Sequence, residues 1–185
     1  MFKLNIVSGN PSHLSKEVLE KYGVGSTFVE TGTYMGDTVK LALESGFTNI
    51  DSIELNEGLA NKAKEMFKEN EGVKIWLGDS VDCLQEIVNG LTEPSTFWLD
   101  AHASGPLQGG KTGGGPVVDE LRIIATSPIK DHTIFIDDKR LFGSAEWSFT
   151  REEDAMAVLK EINPNYNIVY LDGEIPGDVI CATVK

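Results

Sequence analysis

Carboxylates stand at the ends of five short apolar runs in this chain, and their placement is where chemistry is to be sought. Glu30 sits in Thr-Phe-Val-Glu30-Thr-Gly32-Thr33, Glu54 closes Ile53-Glu54-Leu55-Asn56, and Asp79 lies in Gly78-Asp79-Ser80. Asp100 ends Trp98-Leu99-Asp100, and the pair Asp137-Asp138 follows Phe135-Ile136. A carboxylate such as Glu54 at a strand end can accept two hydrogen bonds from the vicinal hydroxyls of a ribose. Asp79 and Ser80 suit either the cap of the next helix or the edge of an adenine. Asp100, Asp137 and Asp138 converge if their strands are central. Three anions in one dry pocket need a divalent cation or shifted protonation, and an all-oxygen ligand set favours Mg²⁺. The alternative is that one of the three caps a helix while another faces solvent. Gly32 and Gly36 are spaced G-x-x-x-G, where a dinucleotide fingerprint would read G-x-G-x-x-G, so the spacing argues against a pyrophosphate. An ordinary strand-to-helix turn is the other reading of these glycines.

These residues are positioned by regularly alternating strand and helix signals. Strands are expected over 27–33, 49–55, 73–77, 96–99 and 132–136. Helices are expected from a cap at Asp37 to about Ser45, over 58–69, through Leu84, Ile87 and Val88, over 118–125 and over 151–162. Asn163-Pro164 stops the last helix. Two strands, 167–171 and 179–184, then follow with only a glycine- and proline-containing turn between them, which predicts a hairpin. Repeated β-α units predict a parallel sheet covered on both faces. The expected fold is therefore α/β: a single doubly wound, Rossmann-like domain over residues 1–185. Its seven-stranded, mostly parallel sheet ends in an antiparallel hairpin strand. Residues 1–25 are expected to form an N-terminal helical cap over the ligand, through Leu14, Val18 and Leu19. Residues 103–116, rich in glycine, are expected to form a lid loop.

Bulk composition narrows the partners. The chain of 185 residues has 29 acidic and 16 basic side chains, a net charge of −13. Its densest basic stretch is Lys139-Arg140, too little for a nucleic-acid or anionic-membrane surface. No apolar run approaches a membrane span, and the start of the chain lacks a signal-peptide pattern. Cys83 and Cys181 have no metal or redox spacing, so they read as small core residues in a protein expected in the cytoplasm. Oligomeric state is left open.

The run Phe-Val-Glu30-Thr-Gly32-Thr33-Tyr34-Met-Gly36-Asp-Thr38 resembles the cofactor loop of class I S-adenosylmethionine-dependent methyltransferases. It is most similar to the catechol O-methyltransferase-like group. The resemblance continues through Glu54-Leu55-Asn56, Gly78-Asp79-Ser80, Leu99-Asp100 and Ile136-Asp137-Asp138, covering residues 27–140 and the final hairpin. It implies that Glu30, Gly32 and Tyr34 line the methionine end of the cofactor, with Thr33, Gly36 and Thr38 in the same loop. Glu54 and Leu55 would meet the ribose, and Gly78, Asp79 and Ser80 the adenine. Asp100 would border the cofactor and, with Asp137 and Asp138, hold Mg²⁺. The metal would orient the hydroxyls of a small acceptor and lower the pKa of the attacking one.

Two departures stand out. The group's catalytic lysine falls at Ala103, and its usual Asn in the paired acid position is Asp138. His102 is then the nearest candidate base, with a side-chain pKa naturally near neutrality. Its other reading is a hydrogen bond to a neighbouring loop. Lys111 is a second candidate. The run Gly105-Pro-Leu-Gln-Gly-Gly110-Lys111-Thr112 matches the P-loop pattern letter for letter. However, Gly113-Gly-Gly-Pro116 cannot open the helix on which a P-loop depends. Methyl transfer to the hydroxyl of a small molecule is the leading reading. A nicotinamide-dependent oxidoreductase, or a cofactor-binding domain without turnover, are the alternatives.

Overall fold

A computed structural model describes residues 14–101, 115–145, 147 and 149–185. Seven strands form one sheet: β1 (Thr27–Thr31), β2 (Asn49–Glu54), β3 (Val73–Leu77), β4 (Thr96–Leu99), β5 (Thr133–Ile136), β6 (Asn167–Leu171) and β7 (Val179–Thr183). Their spatial order is β3-β2-β1-β4-β5-β7-β6. The first five pair in parallel, while β7 runs antiparallel to both β5 and β6. The chain therefore turns outward twice from the β1–β4 pair, which makes that junction the topological switch point.

Among the described residues six α-helices alternate with the strands: α1 (Lys16–Tyr22), α2 (Asp37–Glu44), α3 (Glu57–Met66), α4 (Ser80–Gly90), α5 (Val117–Ala125) and α6 (Glu152–Ile162). Side chains alternate across each strand, so a central strand feeds two cores at once. Phe97 and Leu99 of β4 join the layer made by Leu84, Leu121, Ile124 and Leu159 from α4, α5 and α6. Trp98, between them, joins Leu19, Val39, Ala60 and Ala63 from α1, α2 and α3. No helix among the described residues is long and apolar enough to cross a membrane.

Expected element ends shift by at most three residues, and β3, β4 and β6 fall on the expected bounds. Asp37 does not cap α2. Gly36 takes the cap position in a left-handed conformation with no side-chain cap, leaving Asp37 as the first helical residue. There its charge favours the positive helix end. The end of α1 is tied to the strand starts, away from the switch-point cleft: Thr133 Oγ1 donates to the Tyr22 carbonyl at 2.7 Å, and Thr96 Oγ1 to that of Val24 at 2.9 Å. His132 lies just ahead of β5. Its Nδ1 accepts the Ser95 amide at 3.0 Å, and burial pushes its pKa down to about 4, so it is a neutral structural group. Cys181 is buried and Cys83 partly so.

Candidate active site

The turn after β1 is folded tightly against its neighbours. The amides of Gly32 and Thr33 both donate to the Ile53 carbonyl, at 2.9 and 3.1 Å. Gly32 has φ +93°, and a Cβ there would lie 2.5 Å from the Asp100 carbonyl oxygen, so only glycine fits. Gly36, at φ +77°, lies against the Phe67 ring in the same way. Between them Tyr34 holds φ +46°. Glu54 sustains that conformation: one of its carboxylate oxygens accepts the Tyr34 amide at 2.8 Å, the other the Asn56 amide at 2.8 Å. The result is a shallow, open cleft lined by Gly32, Thr33, Tyr34, Met35, Asp37, Thr38 and Asp100. No residue of α1 lines it; residues 1–13 of the expected cap lie outside the described residues.

The floor of this turn is a buried polar chain. Ser52 Oγ donates to Glu30 Oε2 at 2.5 Å and lies 2.5 Å from Thr33 Oγ1. Burial raises the Glu30 carboxyl to about 8, opposed by hydrogen bonds from Ser52 and Thr38 and reinforced by Asp100. Glu30 is thus a proton-bearing group beneath the loop. The first strand's acid, expected to line the cleft, supports it from below.

Asp79 is the cap of α4, its side chain accepting the Val81 amide at 3.1 Å. Ser80 is buried and hydrogen-bonds Glu120, which no sequence signal had singled out. Glu120 is 1% exposed, lies beside Thr31 and Ser80, and is raised by burial to about 7. Its clue was an acid on the core face of a helix, since Val117, Glu120, Leu121 and Ile124 are the buried positions of α5. Leu55 and Leu77 leave apolar surface at the ends of β2 and β3.

The second acid group differs from the expected one. The carboxylates that gather with ligand oxygens within 4.8 Å of one another are Asp137, Asp138 and Asp178, all buried. Asp100 is not in that group, although its charge, after burial, helps raise Asp137. Asp178 arrives with the hairpin. Arg140, in the short turn Lys139–Leu141, donates from Nη1 to Asp138 at 2.5 Å and to Asp178, and from Nη2 to Glu174. His102, Lys111 and residues 103–114 of the expected lid lie outside the described residues. Gly115, where the lid would end, rests on the buried Trp147, 2.7 Å from its ring to where a Cβ would be.

No family model matches this sequence, and no curated protein matches it. Solved structures do match. An O-methyltransferase from Bacillus cereus in complex with S-adenosylhomocysteine superposes with a TM-score of 0.62 at 16% identity, over 92% of this chain and 78% of that one. The O-methyltransferase TomG from Streptomyces achromogenes, bound to S-adenosylmethionine, gives 0.61 at 13% identity, over 92% and 77%. The S-adenosylhomocysteine-bound methyltransferase PaMTH1 from Podospora anserina gives 0.58 at 14% identity, over 86% and 72%.

Proposed function

We propose that this chain, which has the fold of class I methyltransferases, moves a methyl group from S-adenosylmethionine to a hydroxyl of a small molecule. The observation that carries this reading is the charge of the switch-point cleft. Among the described residues its lining includes two acids, Asp37 and Asp100, and no basic side chain, with the Glu54 carboxylate at its base. Such a wall suits a sulfonium and an ammonium, and repels the pyrophosphate of a dinucleotide. The uncapped start of α2 has amides to spare for a carboxylate. Each oxygen of Glu54 accepts one backbone amide and keeps a second lone pair for a ribose hydroxyl.

Bound S-adenosylmethionine would supply an electrophilic methyl on a positively charged sulfur. The chain's own part is positional. Gly32 and Tyr34 shape the loop, Glu30 and Ser52 hold its floor, and Asp100 borders the place where an acceptor would stand. His102, two residues beyond Asp100, is the proposed base for the acceptor's proton, and Lys111 the second candidate. The Mg²⁺ implied by the family resemblance would need Asp100, Asp137 and Asp138. With Asp138 already joined to Arg140, that set does not fit a metal.

The test is thermal unfolding with S-adenosylhomocysteine and, separately, with NAD. Ligand at about 100 times its Kd stabilises by about 2.7 kcal/mol. For a chain of this size that means a rise of roughly 5–10 °C with S-adenosylhomocysteine and none with NAD. A rise with NAD alone would establish the oxidoreductase reading instead.

A further inference from the structure

We propose that the Arg140 guanidinium is the resident cation of the Asp137–Asp138–Asp178 cluster, and that this cluster takes no divalent metal. The three acids are 3%, 4% and 1% exposed and share one small volume, so their charge must be met locally. Arg140 meets it from two positions at once. Its backbone amide donates to Asp178 Oδ1 at 2.8 Å, while Nη1 donates to Asp178 Oδ2 and to Asp138 Oδ1. Both oxygens of Asp178 and one of Asp138 are thereby taken by a single residue. Asp137 Oδ1 accepts the Asp138 amide at 2.8 Å.

The turn is built to deliver this contact. Asp138 holds a left-handed conformation (φ 56°, ψ 37°) that starts the short turn Lys139–Leu141. The Lys139 amide then donates to the Asp178 carbonyl at 2.8 Å, fastening the turn to the hairpin. The Arg140 side chain is only 24% exposed, and its outer edge is paired with Glu174. Mg²⁺ demands near-octahedral oxygens at about 2.0–2.1 Å and gives up its water reluctantly. To reach Asp138 and Asp178 it would have to displace a guanidinium that cannot lose its charge, or sit against it. One planar cation is already hydrogen-bonded to both carboxylates and occupies the place an ion would need.

This inference concerns the cluster alone and stands or falls separately from the cofactor assignment, because its readout needs no S-adenosylmethionine. The intact chain, stripped with EDTA, is titrated with MgCl₂ and with MnCl₂ against NaCl of matched ionic strength, following thermal unfolding and the electron paramagnetic resonance signal of free Mn²⁺. The expected result is no saturable rise in Tm and no loss of free Mn²⁺ signal. In Arg140→Met, which keeps the aliphatic stem and removes the charge, Tm falls and either cation restores part of it saturably. Arg140→Lys, which keeps the charge, falls between the two and stays indifferent to Mg²⁺. Should Arg140→Met not fold, the wild-type titration and Arg140→Lys decide the matter. Saturable stabilisation of the wild type by Mg²⁺ or Mn²⁺, or an Arg140→Met protein as stable as wild type, overturns the proposal.

Discussion

Glu30 and Glu120 are acids whose titration the fold moves up to near neutral pH. Burial raises them to about 8 and about 7, above the usual carboxyl value. The folded chain therefore binds more protons than the unfolded one across that interval. Their contribution to stability is complete below the ordinary carboxyl pKa and is lost as pH rises through about 7 to 8. Growing negative charge acts in the same direction, so Tm should fall from about pH 6 to about pH 9. Glu30→Gln, which keeps the size and removes the titration, separates the two causes. Its pH profile should be distinctly flatter than the wild type's, and parallel profiles would refute the role given to Glu30. At this scale the sequence was partly readable. The acids at strand ends were visible because they follow apolar runs. Glu120 was visible only in retrospect, as an acid at a core position of α5. Asp178 was not visible at all. Extending the antiparallel pairing Ile136↔Ile180 sets Asp178 opposite Asp138, and that register is a long-range fact with no local signal.

Elements were more legible than contacts. Alternation of β-branched runs with amphipathic stretches sets the order of strands and helices, and the glycine- and proline-bearing turn sets the hairpin, because those signals are local. The ends of elements depend on tertiary contacts, as at Gly36, where the Phe67 ring and a left-handed turn move the start of α2. The β1–α2 turn is the element most sensitive to change. Gly32→Ala must hold φ +93° and press a methyl group on the Asp100 carbonyl. It should cost at least about 1–3 kcal/mol in urea unfolding and abolish the shift with S-adenosylhomocysteine. Gly46→Ala has the same φ of +93° but open space around it. It should show the strain while keeping the ligand response. Equal ligand responses in the two variants would show that the turn does not shape the cleft.

Across the molecule, stability rests on a sheet buried on both faces. Trp98 is 0% exposed, with its ring 6.2 Å from that of Phe135. Truncating it to Ala should cost about 3–5 kcal/mol, which lowers Tm by roughly 10 °C. Phe149, 69% exposed, should change by no more than about 0.5 kcal/mol when truncated. Similar losses at the two sites would contradict the layered core. The late return of β7 to the sheet has a consequence during synthesis. Every strand that frames the cleft has been synthesised once β4 is made, whereas Asp178 follows Asp137 by 41 residues. Domains mature as units while the chain grows. A nascent chain halted before the hairpin would thus hold the β1–α2 turn with β5 as an open sheet edge, and Arg140 would lack its contacts with Asp178. In the folded chain the hairpin both covers that edge and brings Asp178 to Arg140.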